Sequence, residues 1–313
     1  MDTTTAISIE QLSHHYGDRC ALDELSLSIN AGEVFVFLGP NGGGKTTLFR
    51  VLSTLMPMQQ GSVQLLGFDL AAAKQSIRQQ IGVVFQSPSL DKKLTVRENI
   101  LHQAALYGLS GKAAKLRADE MMGQLGIADR ASDICEELSG GLRRRVELAK
   151  GMIHQPRLLL LDEPSTGLDP GARSSMWEYL QRIRKEQNVT IVLTTHLLEE
   201  AEKADRIAIL NVGKLVALDT PSLLKQTVGG DTLTISGSDL NGLAEKIQNQ
   251  FQITAQIVDE TLRIETTTGA TWVTKLTEAF PEEIDRISLG KPTLEDVFIA
   301  KTGHRFWNEG DSA

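Results

Sequence analysis

The chain has 313 residues, 32 Lys plus Arg against 40 Asp plus Glu, a net charge of −8 and two cysteines. That length suits a full-sized domain plus a smaller one, and an acidic balance without a long basic run or interleaved aromatics argues against nucleic acid as a partner. Cys20 and Cys135 stand in no metal-ligand spacing, which fits a reducing, cytosolic setting.

The stretch M-D-T-T-T-A-I-S-I-E lacks a charged-then-apolar signal pattern. The longest apolar runs, 34–38 and 158–161, fall far short of the roughly 20 residues that span a bilayer. The first forty residues read as strands: Ile7, Ile9 and Leu12 alternate, as do Leu25, Leu27 and Ile29, and a turn at Ala31-Gly32 leads into the buried run V-F-V-F-L. His14 and His15 are neighbours on a strand, so they point apart and make no metal pair. Tyr16, ahead of a Gly-Asp turn, is either a stacking platform for an adenine ring or a partly buried strand aromatic.

The run G-P-N-G-G-G-K-T-T at 39–47 fits G-x-x-x-x-G-K-[ST], between a buried strand and a helix over 45–55 that ends before Pro57. In such a loop, spanning Gly39, Pro40, Asn41, Gly42, Gly43 and Gly44, the glycines let successive backbone N–H groups point at the β- and γ-phosphates of a nucleotide. Lys45 places a charge between those phosphates, and Thr46, followed by Thr47, offers its hydroxyl to Mg²⁺.

A strand over 81–86, I-G-V-V-F-Q, leads to a loop at Pro88; Gln86 at its end can reach a metal or a water through its amide, or be an ordinary loop glutamine. From about 90 to 156 the pattern is a helical insert, with helices over 98–107, over 113–125 and after Ser139. In the last of these Leu142, Val146, Ala149 and Ile153 share a face, Glu147 and Lys150 fall off it, and the arginines at 143–145 read as a solvated face with some phosphate or partner contact. That helix opens with L-S-G-G-L. Ser139, Gly140 and Gly141 are then a serine N-cap with flexible glycines, or an anion site made of unpaired N–H groups at a helix N-terminus.

The run R-L-L-L-L-D-E-P at 157–164 is a buried strand ending in two acids whose side chains point opposite ways. Taken with the phosphate loop, Asp162 is placed to hold the Mg²⁺ hydration shell and Glu163 to act on the attacking water as general base. A strand over 189–194 runs to His196, which is either a γ-phosphate contact or incidental. Strands over 207–211 and 212–216 close the unit, and 221–230 reads as a linker.

Beyond the linker the order is strand (233–236), helix (240–250), strands (253–258 and 261–267), helix (271–279) and strand (284–289), the ferredoxin-like βαββαβ pattern. A helix over 293–302 and a loose tail over 304–313 follow. The expected division is 1–220, a linker at 221–230, and a small α+β domain over 231–303.

Tyr16, G-P-N-G-G-G-K-T-T, Gln86, L-S-G-G-L, L-L-L-L-D-E-P, S-T-G-L-D at 165–169 and His196 occur in one order across 7 to about 220. The set resembles the nucleotide-binding subunit of an ATP-binding cassette (ABC) transporter. The resemblance implies an α/β fold: a P-loop NTPase core, with a mixed sheet and a helical signature-motif subdomain, followed by the small C-terminal domain. It further implies an ATPase using ATP and Mg²⁺, with Glu163, His196 and Gln86 at the reaction, and Thr46, Gln86 and Asp162 at the metal. Two copies would pair head to tail, each ATP lying between one copy's phosphate loop and the other's Ser139, Gly140 and Gly141, with Asp169 crossing the interface.

G-L-R-R-R after Ser139-Gly140 and K-P-T-L-E-D-V-F-I-A-K-T-G at 291–303 resemble the ATPases of two-component exporters of the daunorubicin-resistance type, the ABC-2 group. That implies a separate membrane-spanning permease contacted near 86–107, a cytoplasmic protein held peripherally on the inner face of the membrane, and a drug, lipid or polysaccharide-like substrate. Leu142 stands where Gln is more frequent, which bears on helix packing or partner coupling; Gly43 stands where Ala or Ser is common and leaves the loop more flexible. An importer ATPase shares the core and is the alternative; a neighbouring gene for a solute-binding protein would favour it. A non-transport cassette ATPase would need two cassettes, a long coiled coil or a basic surface, and none is visible.

Overall fold

The structure is a computed structural model that describes residues 5–258 and 260–306. In chain order its elements begin with β1 (Thr5–Tyr16), β2 (Arg19–Asn30), β3 (Val34–Leu38), α1 (Lys45–Leu52), β4 (Gln60–Leu65), β5 (Phe68–Asp69), α2 (Lys74–Arg78) and β6 (Ile81–Val84). The helical insert contains α3 (Val96–Leu106), α4 (Gly111–Gln124) and α5 (Gly140–Met152), after which the core resumes with β7 (Leu158–Asp162), α6 (Pro170–Gln187), β8 (Thr190–Thr195), α7 (Leu198–Ala201), β9 (Arg206–Asn211) and β10 (Lys214–Asp219). The remainder is α8 (Pro221–Gln226), β11 (Asp231–Ser236), α9 (Leu240–Phe251), β12 (Gln256–Val258), β13 (Thr261–Thr266), α10 (Gly269–Ala279), β14 (Arg286–Gly290) and α11 (Leu294–Thr302).

Among the described residues the strands form three sheets. The first, ordered β2-β1-β4-β5, is antiparallel, and its buried Ile7, Ile9, Leu25, Ile29 and Val63 pack on Phe35, Phe37, Leu158 and Leu160 of the second. That second sheet, β10-β9-β3-β8-β7-β6, is parallel except for its β9–β10 edge. Its strands β3, β7 and β8 are buried along their whole length because both faces are covered, which is why they are continuous apolar runs rather than alternating ones. Their C-terminal ends lie side by side, where ligands bind in open α/β sheets.

Several helix ends follow from local chemistry. The Thr95 hydroxyl accepts from Glu98 N while the Glu98 carboxylate accepts from Thr95 N, a capping box that starts α3. At α6 the Asp169 carboxylate accepts from Ala172 N at 2.9 Å, and Pro170 occupies the first turn. That 18-residue helix was not read from the sequence, although the Asp-Pro start and the buried Met176, Leu180 and Ile183 were legible signals. Also missed was β4, which buries only Val63 and Leu65 and so gives little alternation to read.

The third sheet, β12-β13-β11-β14, is antiparallel, and with α9 and α10 it encloses its own small core around Leu233, Ile235, Leu243, Ile247, Leu262 and Leu276. Two expectations about the C-terminal half need correction. Residues 221–226, expected within a linker, form α8: the Thr220 hydroxyl accepts from Leu223 N, Pro221 suits the first turn, and Leu224 is buried. Helix α11, expected with the small domain, packs on α8 and β10, and its Leu294, Val297 and Phe298 belong to the same apolar cluster as Leu193, Ile207 and Ile209.

The expected loose tail is also tied where it is described. Phe306 is buried against Phe298 with ring centroids 4.9 Å apart; residues 307–313 lie outside the described residues. Truncating Phe298 to Ala should therefore cost about 3–5 kcal/mol. Denaturant unfolding followed by hydrogen exchange should show protection lost in β9 and β10, and not only in the third sheet.

Candidate nucleotide-binding and hydrolysis site

The loop between β3 and α1 closes on itself. Gly43 N donates to Pro40 O at 3.1 Å, and Gly43 O accepts from Gly213 N at 3.1 Å, so the glycine expected to loosen the loop is tied on both sides. Gly44, with φ 101°, caps α1, and a Cβ there would stand 2.6 Å from Ala21 O. Only glycine meets both demands. The loop, with Tyr16, Arg19, Ala21, Arg50 and Glu163, surrounds a pocket of about 230 Å³. Tyr16 is 45% exposed at its rim, its hydroxyl 3.4 Å from Met56 Sδ, while the adjoining His14 is buried and meets the Tyr16 ring edge-on. The two histidines do point apart, His14 inward and His15 outward.

At the pocket floor Lys45 is buried, its Nζ donating to Gly39 O at 2.7 Å and Pro40 O at 3.0 Å and lying 3.6 Å from Glu163 Oε1. Thr46 and Thr47 both line the pocket, Thr46 exposed and Thr47 buried. The two acids at the end of β7 diverge. Asp162 Oδ1 accepts from the Thr194 hydroxyl at 2.6 Å, and burial pushes its carboxyl up, with the Thr194 hydrogen bond opposing.

Glu163 turns the other way, onto residues from three other segments. Its Oε2 accepts from Gln86 Nε2 at 3.2 Å and lies 3.1 Å from His196 Nδ1, and Thr166 Oγ1 donates to it at 3.4 Å. Burial pushes this carboxyl up, but the hydrogen bond from His196 and the charge of Lys45 outweigh it and hold it below the usual glutamate range. Its backbone adopts φ 42°, unusual for a non-glycine residue, and is held there by its N–H donating to Thr194 O and Oγ1, both at 3.1 Å.

His196 is itself placed by a buried network. Thr195 Oγ1 donates to Glu200 Oε2 at 2.6 Å, Trp177 Nε1 donates to Glu200 Oε1 at 3.0 Å, and Leu197 N donates to Thr195 Oγ1 at 3.0 Å. Residues separated by up to 151 positions, Lys45 and His196, thus converge on one carboxylate. Sequence reasoning missed Thr194 and Glu200, which act from behind the site, and Arg19, whose guanidinium sits over Gly42 in the pocket wall.

Ser139, Gly140, Gly141 and Asp169 do not line the pocket of their own chain. Ser139 Oγ accepts from Leu142 N at 3.3 Å and so caps α5, with Gly140 facing Gly167 and Gly141 facing Ala172. The arginine reading needs correction. Arg144 is 6% exposed and ion-paired with Glu147 Oε2 at 3.0 Å, Arg143 Nε donates to Leu138 O at 3.0 Å, and Arg145 donates to Leu125 O at 3.3 Å. A helix buried on more than one side leaves no fully solvated face, so Glu147 is buried too.

Residues 22–166 match the family described as ABC transporter. The chain is 36% identical to the daunorubicin resistance ATP-binding protein DrrA2 of Streptomyces coeruleorubidus, across 97% of both chains. The chain belongs to the ABC transporter ATP-binding subunits. It is an ABC-type ATPase of the ABC-2 exporter group, and the importer alternative is not favoured. At 34% identity, over 95% of this chain and 97% of the relative, it is also similar to the Nod factor export ATP-binding protein I of Burkholderia orbicola (strain AU 1054). A solved structure, the dimeric form of the bacterial ABC transporter cassette MJ0796, superposes with a TM-score of 0.64 at 26% identity, covering 68% of this chain and 98% of that one. The fold class is that of the ABC ATPase cassettes. Among the described residues of this exporter ATPase, no helix is long and apolar enough to cross a membrane.

Proposed function

We propose that Glu163 is the general base of ATP hydrolysis in this subunit, with Gln86 and His196 as its partners at the γ-phosphate. The observation that carries this is the convergence of Lys45, Gln86 and His196, within 3.1–3.6 Å, on a carboxylate kept ionised beside the phosphate loop. Lys45 holds phosphate oxygens by charge-assisted hydrogen bonds, and the N–H groups of Gly42, Gly44 and Thr46 contribute neutral ones. Tyr16 lies flat against the adenine. Glu163 accepts the proton of the attacking water, and His196 hydrogen-bonds the γ-phosphate as it separates.

The donor set also fits Mg²⁺. Thr46, Gln86 and Asp162 offer a hydroxyl, an amide and a carboxylate, hard oxygen ligands suited to that ion, and a carboxyl that burial pushes up gains most from a nearby dication. Bound Mg²⁺ would neutralise charge between the β- and γ-phosphates.

Ser139, Gly140 and Gly141 serve the ATP of a second copy, with Asp169 at the shared interface. Support comes from their distance from their own pocket and from the dimeric form in which the related cassette is known. The helix cap at Ser139 remains compatible with that role, because Ser139 and Gly140 are exposed and Gly141 is half-buried at the start of α5. The subunit is held on the inner face of the membrane by a separate permease. The contact lies near 86–107, where a groove lined by Gln75, Arg78, Gln103, Leu106, Tyr107 and His154 leaves Leu106 80% exposed and stacks Tyr107 on His154 at 3.6 Å.

The exported substrate is a drug, lipid or polysaccharide-like molecule. Relatives of nearly equal similarity are named for daunorubicin resistance and for Nod factor export, so overall similarity does not separate these classes. Pull-down of the tagged chain from detergent-solubilised membranes should recover a multi-span membrane protein, and Leu106→Glu should abolish that recovery. Recovery of ribosomes or DNA in its place would overturn the transporter role.

A further inference from the structure

Gln86 belongs to two bodies at once. Its side chain bonds to Glu163 at the end of β7, while its main chain is held by the signature helix α5. Arg144 donates from Nη1 to Phe85 O at 2.7 Å and from Nη2 to Gln86 O at 3.0 Å, and it pairs with Glu147 Oε2 at 3.0 Å. Glu147 Oε1 accepts from Ser89 N at 2.5 Å and from Ser89 Oγ at 3.2 Å, and Lys150 Nζ donates to Ser89 O at 2.8 Å. Residues three apart on a helix share one side, so 144, 147 and 150 form a single row gripping the irregular segment 85–89.

A buried ion pair is weak evidence for a stabilising role, since apolar side chains of the same shape often do as well. What an apolar row cannot do is hold three carbonyls, an N–H and a hydroxyl in one register. Arg144's fork suits two successive carbonyls as a lysine ammonium does not. The segment also begins one residue after β6 ends at Val84, so β6 stays with the sheet while 85–89 stays with α5. Any shift of Gln86 relative to Glu163 is then a shift of α5, whose N-terminus carries Ser139, Gly140 and Gly141.

We infer that Arg144, with Glu147 and Lys150, is a positioning residue that makes the signature loop follow the contact between Gln86 and Glu163. The inference rests on the reading of Glu163 and Gln86 given above. The bond from Gln86 would report the state of the site, and the Arg144 row would carry that report to the loop offered to the second copy.

The test is a double-mutant cycle in the full-length chain, scored by steady-state ATP hydrolysis, by equilibrium binding of a fluorescent ATP analogue and by thermal melting. Arg144→Lys should leave the Kd of the analogue within about twofold while lowering kcat by about tenfold or more, the pattern of an interaction made only on the way to the transition state. Combined with Gln86→Ala, it should lower kcat no further than the worse single variant, because both break one linkage. Losses that multiply, or parental kcat in Arg144→Lys, would overturn the positioning role. Should Arg144→Lys fail to fold, Glu147→Gln, which keeps the shape and an acceptor for Ser89, runs the same cycle with the same two outcomes. Glu163→Gln and Gln86→Ala are the controls: parental turnover in these defeats the site reading itself, whereas loss in both with none in the clamp variants defeats the clamp alone.

Discussion

Glu163→Gln should retain ATP binding, stabilise an ATP-dependent dimer and lower kcat by about 10²- to 10⁴-fold, the range for removal of a positioned general base. The amide preserves the size of the side chain and can accept from Gln86 and His196 as the carboxylate does, but it cannot take a proton from water. Removing the charge also frees Lys45 from its contact at 3.6 Å, which favours phosphate binding at the same nitrogen. Phosphate release and gel filtration with and without ATP measure the two arms. Hydrolysis at the parental rate would sink the assignment of the base.

Lys45→Ala should weaken ATP binding by about 1.5–3 kcal/mol, roughly ten- to 150-fold in Kd, as expected for hydrogen bonds to a charged group. Its Nζ now bridges Gly39 O, Pro40 O and Glu163, so the variant also loosens the loop and leaves Glu163 with Gln86, His196 and Thr166. Titration with a fluorescent ATP analogue checks the first effect, and undiminished affinity would contradict the role of the loop. Both variants alter one site, so their combination should not multiply in kcat.

Much of the site was legible because its parts are local. The phosphate loop needs glycines at fixed offsets before a lysine and a threonine, and the end of β7 needs an apolar strand followed by two acids that diverge; both are patterns within a single strand and turn. Tyr16 shows the limit of that approach, since a strand aromatic and a stacking platform look alike until the exposed ring is found at the pocket rim.

The row of Arg144, Glu147 and Lys150 shows a deeper limit. Charges at that spacing ordinarily mark a solvated helix face, and here they turn toward the main-chain groups of 85–89, which they hydrogen-bond. Likewise α11 has a capping box and apolar residues that announce a helix, but its placement on α8 and β10 rather than on the neighbouring sheet is a matter of which apolar surface remained uncovered.

What the amino-acid order determined by itself was the set of chemical groups and the elements that present them: a loop for phosphate, a carboxylate at a strand end, a glycine-led helix and a second small unit. Those depend on spacing over a few residues, where backbone geometry allows few solutions. Tertiary structure alone decided that Gln86, Glu163, His196 and Lys45 meet, that Thr194 and Glu200 brace them, and that the signature loop stands away from its own pocket. Contacts across 77 residues, as between Gln86 and Glu163, depend on how buried strands order themselves in a sheet, and no local pattern carries that order.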